Sequence, residues 1–256
     1  MLIEKELAPA TINQRLAAVR RLAQEAADNG LLDASVAPAI AKVRGIRLQG
    51  VRIGKWLNAA SAQALLGIPD SDSIKGIRDR AVLAVLIGCG LRRSEVAAVS
   101  DEQFRMVEDR WVIVDLVGKH GRIRTVAVPS WAKAAVDQWC LVGAIVAGRL
   151  FRHITKCSEV TGVGFTAQAV YDIVLEHARM VDHDVRPHDL RRSFARLAYE
   201  GHAPIEQLSM TLGHASIATT ERYVAAKQHF RVAPCDLLNL EMAGSECPMA
   251  PADTAQ

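Results

Sequence analysis

The sequence predicts a mainly α-helical protein with a small antiparallel β-sheet, an α+β arrangement in two parts. Three observations lead there. Apolar residues recur every three to four positions through most of the chain. A pair of β-rich runs flanks the turn Gly118-Lys119-His120-Gly121. Between Val36 and Leu57 stand five basic residues, no acidic ones and three glycines, with no amphipathic period, which separates a short helical part from a longer one. Half of the 256 residues are hydrophobic, enough to bury one large core or two modest ones.

In chain order, Ile12, Leu16, Val19, Leu22 and Ala26 mark an amphipathic helix over Thr11–Asn29, stopped by Gly30. A shorter helix covers Ser35–Val43. Residues 44–56 read as a basic interdomain linker: a solvated loop, or a track for a polyanion. Asn58 caps a helix reaching Leu66, and Ile74–Leu86 carries a strong helical pattern. Another helix starts near Ser94. The strands are Trp111–Val117 and Arg122–Val128. Helices follow at 130–146, 165–179, 188–200, 204–212 and 216–226. After Gly244 the small-residue, proline-containing composition predicts a disordered end.

Some classes of function drop out. The longest apolar run, Ala81–Ile87, has seven residues, against the roughly 18 that a membrane span needs. The charged start Met1-Leu2-Ile3-Glu4-Lys5-Glu6 is unlike an export signal, so a soluble, cytoplasmic protein is expected. Cys89, Cys140, Cys157, Cys235 and Cys247 form no CxxC pair, which favours reduced thiols over a disulfide framework or structural zinc. A formal charge of +3 names no partner by itself.

Five features could carry chemistry. Gly90-Leu91-Arg92-Arg93-Ser94-Glu95 sets two arginines at the mouth of a helix, where a structural ion pair is the plainer role. Lys119 sits at the hairpin tip. His188 and Arg191 share a face at the start of a helix behind Pro187. Gly213 sets His214 just past a short apolar helix. Tyr223 lies nine residues beyond His214 and is one of three tyrosines in the chain. Each is ordinary alone; together they suit phosphoryl transfer without a metal or other cofactor. Arginine forks bind phosphate oxygens and neutralise transition-state charge. A tyrosine hydroxyl can attack phosphorus if a base takes its proton; histidine can do so, and lysine can protonate a leaving alkoxide.

Four strings, Gly-Leu-Arg-Arg-Ser-Glu (90–95), Val-Gly-Lys-His-Gly (117–121), His-Asp-Leu-Arg-Arg-Ser-Phe-Ala (188–195) and Leu-Gly-His-Ala-Ser-Ile-Ala-Thr-Thr-Glu-Arg-Tyr (212–223), resemble the signature segments of the tyrosine recombinases, the phage integrase family, in the family's order. The resemblance implies a catalytic domain over 57–228 that breaks and rejoins DNA through a 3′-phosphotyrosyl link. It implies Arg92 and Arg191 on the non-bridging oxygens, His214 as a further hydrogen-bond donor, Lys119 as general acid and Tyr223 as nucleophile, with Glu95 bracing an arginine. His188 is the candidate base. His120 and Arg192 depart from the family's glycine and second histidine without removing a catalytic group. Arg44, Arg47, Arg52, Lys55, Arg93, Arg122, Arg124 and Arg192 are further candidates for contacts to double-stranded DNA.

The resemblance also makes residues 1–43 the end of a helical core-binding domain whose start is missing. It makes 229–256 a C-terminal segment, with Leu237, Leu238 and Leu240 available for exchange between protomers of a tetramer on two DNA sites. A bacterial or phage-encoded integrase is the expectation. Two alternatives stay open: a type IB topoisomerase-like enzyme, which uses a similar kit as a monomer, and a truncated DNA-binding remnant without catalysis.

Overall fold

The computed structural model describes residues 7–46, 55–118, 121–181 and 184–224. The chain divides into two compact units, Met1–Ile53 and Gly54–Gln256.

The first unit holds α1 (Pro9–Asp28) and α2 (Val36–Lys42). Pro9 opens α1, where its missing N–H costs nothing. Gly30, at φ +70°, turns the chain out of the helix, and the Leu31 amide returns to the Ala26 carbonyl at 2.8 Å. The Asn13 side chain donates to the Ile46 carbonyl and accepts from its amide, both at 2.8 Å, which ties α1 to the segment after α2. The expected apolar stripe is only partly covered. Ile12 is buried, but Val19 is 51% and Leu22 70% exposed. Within this unit, the seven-residue α2 is too short to cover a twenty-residue helix.

The second unit runs α3 (Ala59–Gly67), α4 (Ile74–Cys89), α5 (Arg93–Ala98), β1 (Phe104–Val107), β2 (Arg110–Val117), β3 (Ile123–Ala127), α6 (Ser130–Val142), β4 (His153–Ile154), β5 (Val160–Thr161), α7 (Ala167–Met180), α8 (Pro187–Glu200), α9 (Ile205–Leu212) and α10 (Ile217–Val224). Asn58 and Ser73 cap α3 and α4 by accepting from the Ser61 and Gly76 amides at 2.8 and 3.0 Å. Helix α4 is the centre, packed by α3, α5, α6, α7 and α8. From Ala81 to Ile87 every residue is buried, so a run too short to span a membrane is here the middle of a core. Each fully buried leucine there contributes roughly 2 to 3 kcal/mol of hydrophobic stabilisation. Asp79, also on α4, is fully buried; it accepts from the Arg78 guanidinium at 2.7 Å and faces His177 Nε2 at 3.0 Å. A smaller apolar cluster, Ala195, Leu208, Leu212 and Val224, joins α8, α9 and α10.

The sheet exceeds the single expected hairpin. β1 precedes it, giving the antiparallel order β1-β2-β3, and β4 and β5 make a second, two-stranded sheet. Between β2 and β3 the register slips by one residue after Ile113, where Asp115 takes φ +52°. Gln103 Nε2 donates to the Val114 and Asp115 carbonyls at 2.8 and 3.2 Å and so satisfies this bulge. Helix α6 ends at Val142, short of the expected 146, because Gly143 and then Ala144 at φ +49° leave the helix.

Candidate active site

Gly90 begins the site. It ends α4 at φ +62°, and a Cβ there would lie 2.4 Å from Phe194 Cδ1. Only glycine fits both the backbone and the space. The turn delivers Arg92 in extended conformation as the residue that caps α5. Glu95, three residues on, reaches back to accept from the Arg92 amide at 2.8 Å and from Arg92 Nη1 at 2.8 Å. The same carboxylate accepts from Arg124 Nη1 and Nη2 at 2.9 and 2.8 Å. Burial alone would raise the Glu95 pKa; the Arg124 guanidinium and the Arg92 amide outweigh it and hold the pKa at about 2. Glu95 is therefore a fixed anion under two cations.

Arg124 is the main departure from the DNA-contact set drawn from sequence. Its side chain is 8% exposed, and besides Glu95 it donates from Nε to the Thr211 carbonyl at 2.8 Å. Its guanidinium is occupied inside the protein. A signal existed in the sequence: along β3 it alternates onto the face of Val126, which is 1% exposed.

Helix α8 brings His188, Arg191 and Arg192. Arg191 is 1% exposed and donates to the Gly90 carbonyl at 2.6 Å and to the Leu212 carbonyl. Burial and then Arg92 lower its pKa to about 10, so it stays cationic at neutral pH. Arg92 Nη2 also approaches the Leu212 carbonyl, at 3.5 Å. That carbonyl, at the C-terminal end of α9, thus pins both arginines. The sequence motifs do not reveal this backbone partner, since any residue could supply it.

Gly213, at φ +60°, ends α9 and releases His214, whose Nδ1 pairs with Thr220 Oγ1 at 2.9 Å. Burial and then Arg191 and Arg92 lower the His214 pKa to about 4. His188 is shifted down as well, by burial and then by Arg192 and Arg191. Both imidazoles are neutral at pH 7. Tyr223, on α10, lies between them: ring centroids are 5.6 Å from His188 and 5.3 Å from His214, both edge-on. Its hydroxyl is 3.5 Å from His188 Nε2. Burial raises the Tyr223 pKa, against the pull of Arg191 and Arg192. Arg192, expected at DNA, has its guanidinium carbon 5.5 Å from the Tyr223 ring centroid.

Arg92 stands between two hollows. One, of about 370 Å³, is lined by Arg93, Tyr171, Arg186, His188 and Arg191 as well. The other, of about 400 Å³, is lined also by Gly118, Arg122, Arg124 and His214. Arg93 lies 5.6 Å from the Tyr171 ring centroid; Arg186 and Tyr171 were not singled out from sequence as lining residues. Arg44 is exposed in the first unit. Lys55 forms an exposed ion pair with Asp184. Arg47, Arg52, Lys119, His120 and the segment with Leu237, Leu238 and Leu240 lie outside the described residues. The turn that carries Lys119 is nonetheless bounded: Gly118 donates to the Arg122 carbonyl at 2.7 Å, and a Cβ on Gly118 would be 3.5 Å from Arg92 Nη1. The structure therefore brings Arg92, His188, Arg191, His214 and Tyr223 together: a phenol between two neutral imidazoles, with guanidinium groups behind. Such a site can neutralise a phosphate, deprotonate a phenol and stabilise pentavalent phosphorus.

Comparison with known proteins gives the family. The model of the phage integrase family matches residues 55–229. The chain is 29% identical over 230 residues to the tyrosine recombinase XerD of Ralstonia nicotianae, covering 86% of this chain and 71% of that protein. It is 30% identical over 178 residues to XerD of Pseudomonas aeruginosa, covering 68% of this chain and 58% of the relative. The chain thus spans between somewhat over half and about seven-tenths of these relatives' lengths. Among solved structures, the Tn1549 transposon integrase in complex with circular intermediate DNA superposes with a TM-score of 0.63 at 19% identity, over 90% of this chain and 79% of that one. The XerA recombinase does so with 0.57 at 19%, over 87% and 80%; at this identity both likenesses speak to fold. The family match covers the unit that holds the phenol, the imidazoles and the arginines, and the chain belongs to the phage integrase family.

Proposed function

We propose that this protein is a site-specific DNA recombinase that cleaves and rejoins double-stranded DNA through a covalent 3′-phosphotyrosyl intermediate. The observation that carries the reading is the approach of the Tyr223 hydroxyl to His188 Nε2, 3.5 Å, beside the buried Arg191. In the forward step Tyr223 Oη attacks phosphorus and gives its proton to His188 Nε2. The P–O5′ bond breaks, and Lys119 protonates the departing oxygen. Arg92 and Arg191 neutralise the non-bridging oxygens, and His214 adds a hydrogen bond. One phosphodiester is exchanged for another, so the reverse attack by a 5′-hydroxyl needs no external energy source.

Residues 57–228 are the catalytic domain in this reading, with 1–43 a helical DNA-binding segment, 44–56 a basic linker and 229–256 a segment for exchange between protomers. Arg44, Arg47, Arg52, Lys55, Arg93, Arg122 and Arg192 are the candidate DNA contacts, in a cytoplasmic protein acting as a tetramer on two sites. DNA as partner is supported by related solved structures, which include the XerH site-specific recombinase bound to difH substrate. The test is incubation with nicked suicide duplexes drawn from the DNA flanking the gene. A covalent adduct is expected. Binding without an adduct identifies a DNA-binding protein, and relaxation of supercoiled plasmid without any site requirement identifies a topoisomerase.

A further inference from the structure

We infer that Arg196 is a positioning residue for Tyr223, and that the Trp56 ring at the entrance to the second unit holds Arg196 in place. The inference rests on the recombinase reading of Tyr223. Tyr223 lies on α10 (Ile217–Val224), next to Val224. Arg196 Nη1 donates to the Val224 carbonyl at 2.7 Å, a charged bond one residue beyond the hydroxyl-bearing side chain.

Arg196 is itself fixed from two sides. Its Nε donates to Glu200 Oε1 at 2.6 Å, one turn further along α8. Its guanidinium carbon lies 5.6 Å from the Trp56 ring centroid, in cation–π range. Trp56 is anchored in turn through its neighbour: the Leu57 amide donates to Ser193 Oγ at 2.8 Å, and that hydroxyl donates to the Asp189 carbonyl at 2.9 Å. Leu57 is 2% exposed. One helix, α8, thus presents His188 and Arg191 at the reacting centre, holds Leu57 through Ser193, and joins Trp56 to the Tyr223 helix through Arg196.

The location argues for alignment rather than bulk stability. The Arg196 and Glu200 side chains are 28% and 49% exposed. Pairs so open to water contribute little to folding. The hydroxyl of Tyr223 has little tolerance: a misplacement of about 1 Å can slow a reaction ~10²-fold.

The test uses the full chain with a nicked suicide duplex in single turnover, enzyme in excess. Arg196→Ala is expected to slow adduct formation ~30-fold or more, with DNA affinity and melting temperature close to those of the unaltered protein. Arg196→Lys, which keeps a donor within reach, should recover part of the rate. Trp56→Ala should slow the step ~10-fold, Trp56→Phe hardly at all, and Trp56→Ala should cost little more in the Arg196→Ala background. Hydrogen exchange of residues 217–224, read without DNA, should accelerate in Arg196→Ala while α4 is unchanged. Wild-type-like cleavage by Arg196→Ala, independent effects of the two changes, or unaltered exchange in α10 overturns the inference. A parent protein that forms no adduct, with α10 exchange still governed by Arg196, instead removes the recombinase reading and leaves the positioning contact standing.

Discussion

Replacing Glu95 by Gln probes the arginine scaffold directly, because it removes a charge and keeps the shape. The carboxylate accepts four hydrogen bonds, two from Arg92 and two from Arg124, and its pKa falls from an ordinary 4.5 to about 2. That difference, at 1.36 kcal/mol per pH unit, corresponds to about 3 kcal/mol of stability. The side chain is 2% exposed, so solvent screening takes little from this figure. The folded pKa is the lower one; the stabilisation is therefore complete above about 4.5 and is lost as pH falls toward 2, with roughly 1.4 kcal/mol remaining at pH 3. Glutamine accepts at one oxygen and turns an NH₂ toward a guanidinium. Urea unfolding at pH 7 should show Glu95→Gln less stable by about 3 kcal/mol, and the gap should narrow by roughly 2 kcal/mol at pH 3. A loss under about 1 kcal/mol at pH 7, or an equal loss at both pH values, would refute the claim that the Glu95 charge holds the pair.

Tyr223→Phe should abolish covalent adducts and leave DNA affinity within about twofold, since one hydroxyl is lost; adducts that persist would move the nucleophile to Tyr171 or Tyr199. Lys119→Ala should slow cleavage by ~10²-fold or more on a normal phosphodiester and recover on one with sulfur at the 5′-bridging position, which leaves without a proton. Recovery in His120→Ala instead would exchange the two roles. His188 titrates below the ordinary 6.5, so single-turnover cleavage should be level at neutral pH and fall as pH drops through the acid side; an acid limb that survives in His188→Asn assigns the titration to another group. Changing Arg44, Arg47 and Arg52 together to Ala should lower the log–log salt slope of DNA binding by roughly 3, and an unchanged slope returns that segment to a solvated loop. Lys55 is left out of the set because Asp184 already pairs with it.

The helices of the second unit were legible where side chains write their own boundaries. Asn58 states a cap and Gly213 a turn out of α9, whereas α4 runs to Cys89, past the expected Leu86, before Gly90 turns out of it. Strand β1 was not legible because its two-residue turn is Glu108-Asp109, both at positive φ, where a hairpin of this kind ordinarily advertises itself with Asn-Gly or Asp-Gly. β4 and β5 are two residues each, too short for any period to show. Within the site, charge alone misled. Arg122 and Arg124 read alike as basic hairpin residues and line the same hollow, yet Arg122 is exposed while Arg124 is spent on Glu95 and the Thr211 carbonyl. Main-chain acceptors such as the Leu212 carbonyl leave no mark in a sequence at all.

The slip in register within β2 has a consequence for which mutations matter. Val114 and Asp115 together stand opposite a single residue of β3, so the strand bends there, while Ile113, Leu116, Arg124 and Val126 all keep to the inward side. Leu116 and Val117 separate the bend from the Gly118 end of the turn, on the short arm that reaches toward Arg92. A chain lacking Asp115 would retain every inward contact and every catalytic side chain, yet its arm would leave the sheet along a straighter line. Here the count of backbone units carries the aim, and the identity of the side chains carries the packing. Deleting or adding one residue in this strand changes the aim of the arm, which scanning by substitution would never test.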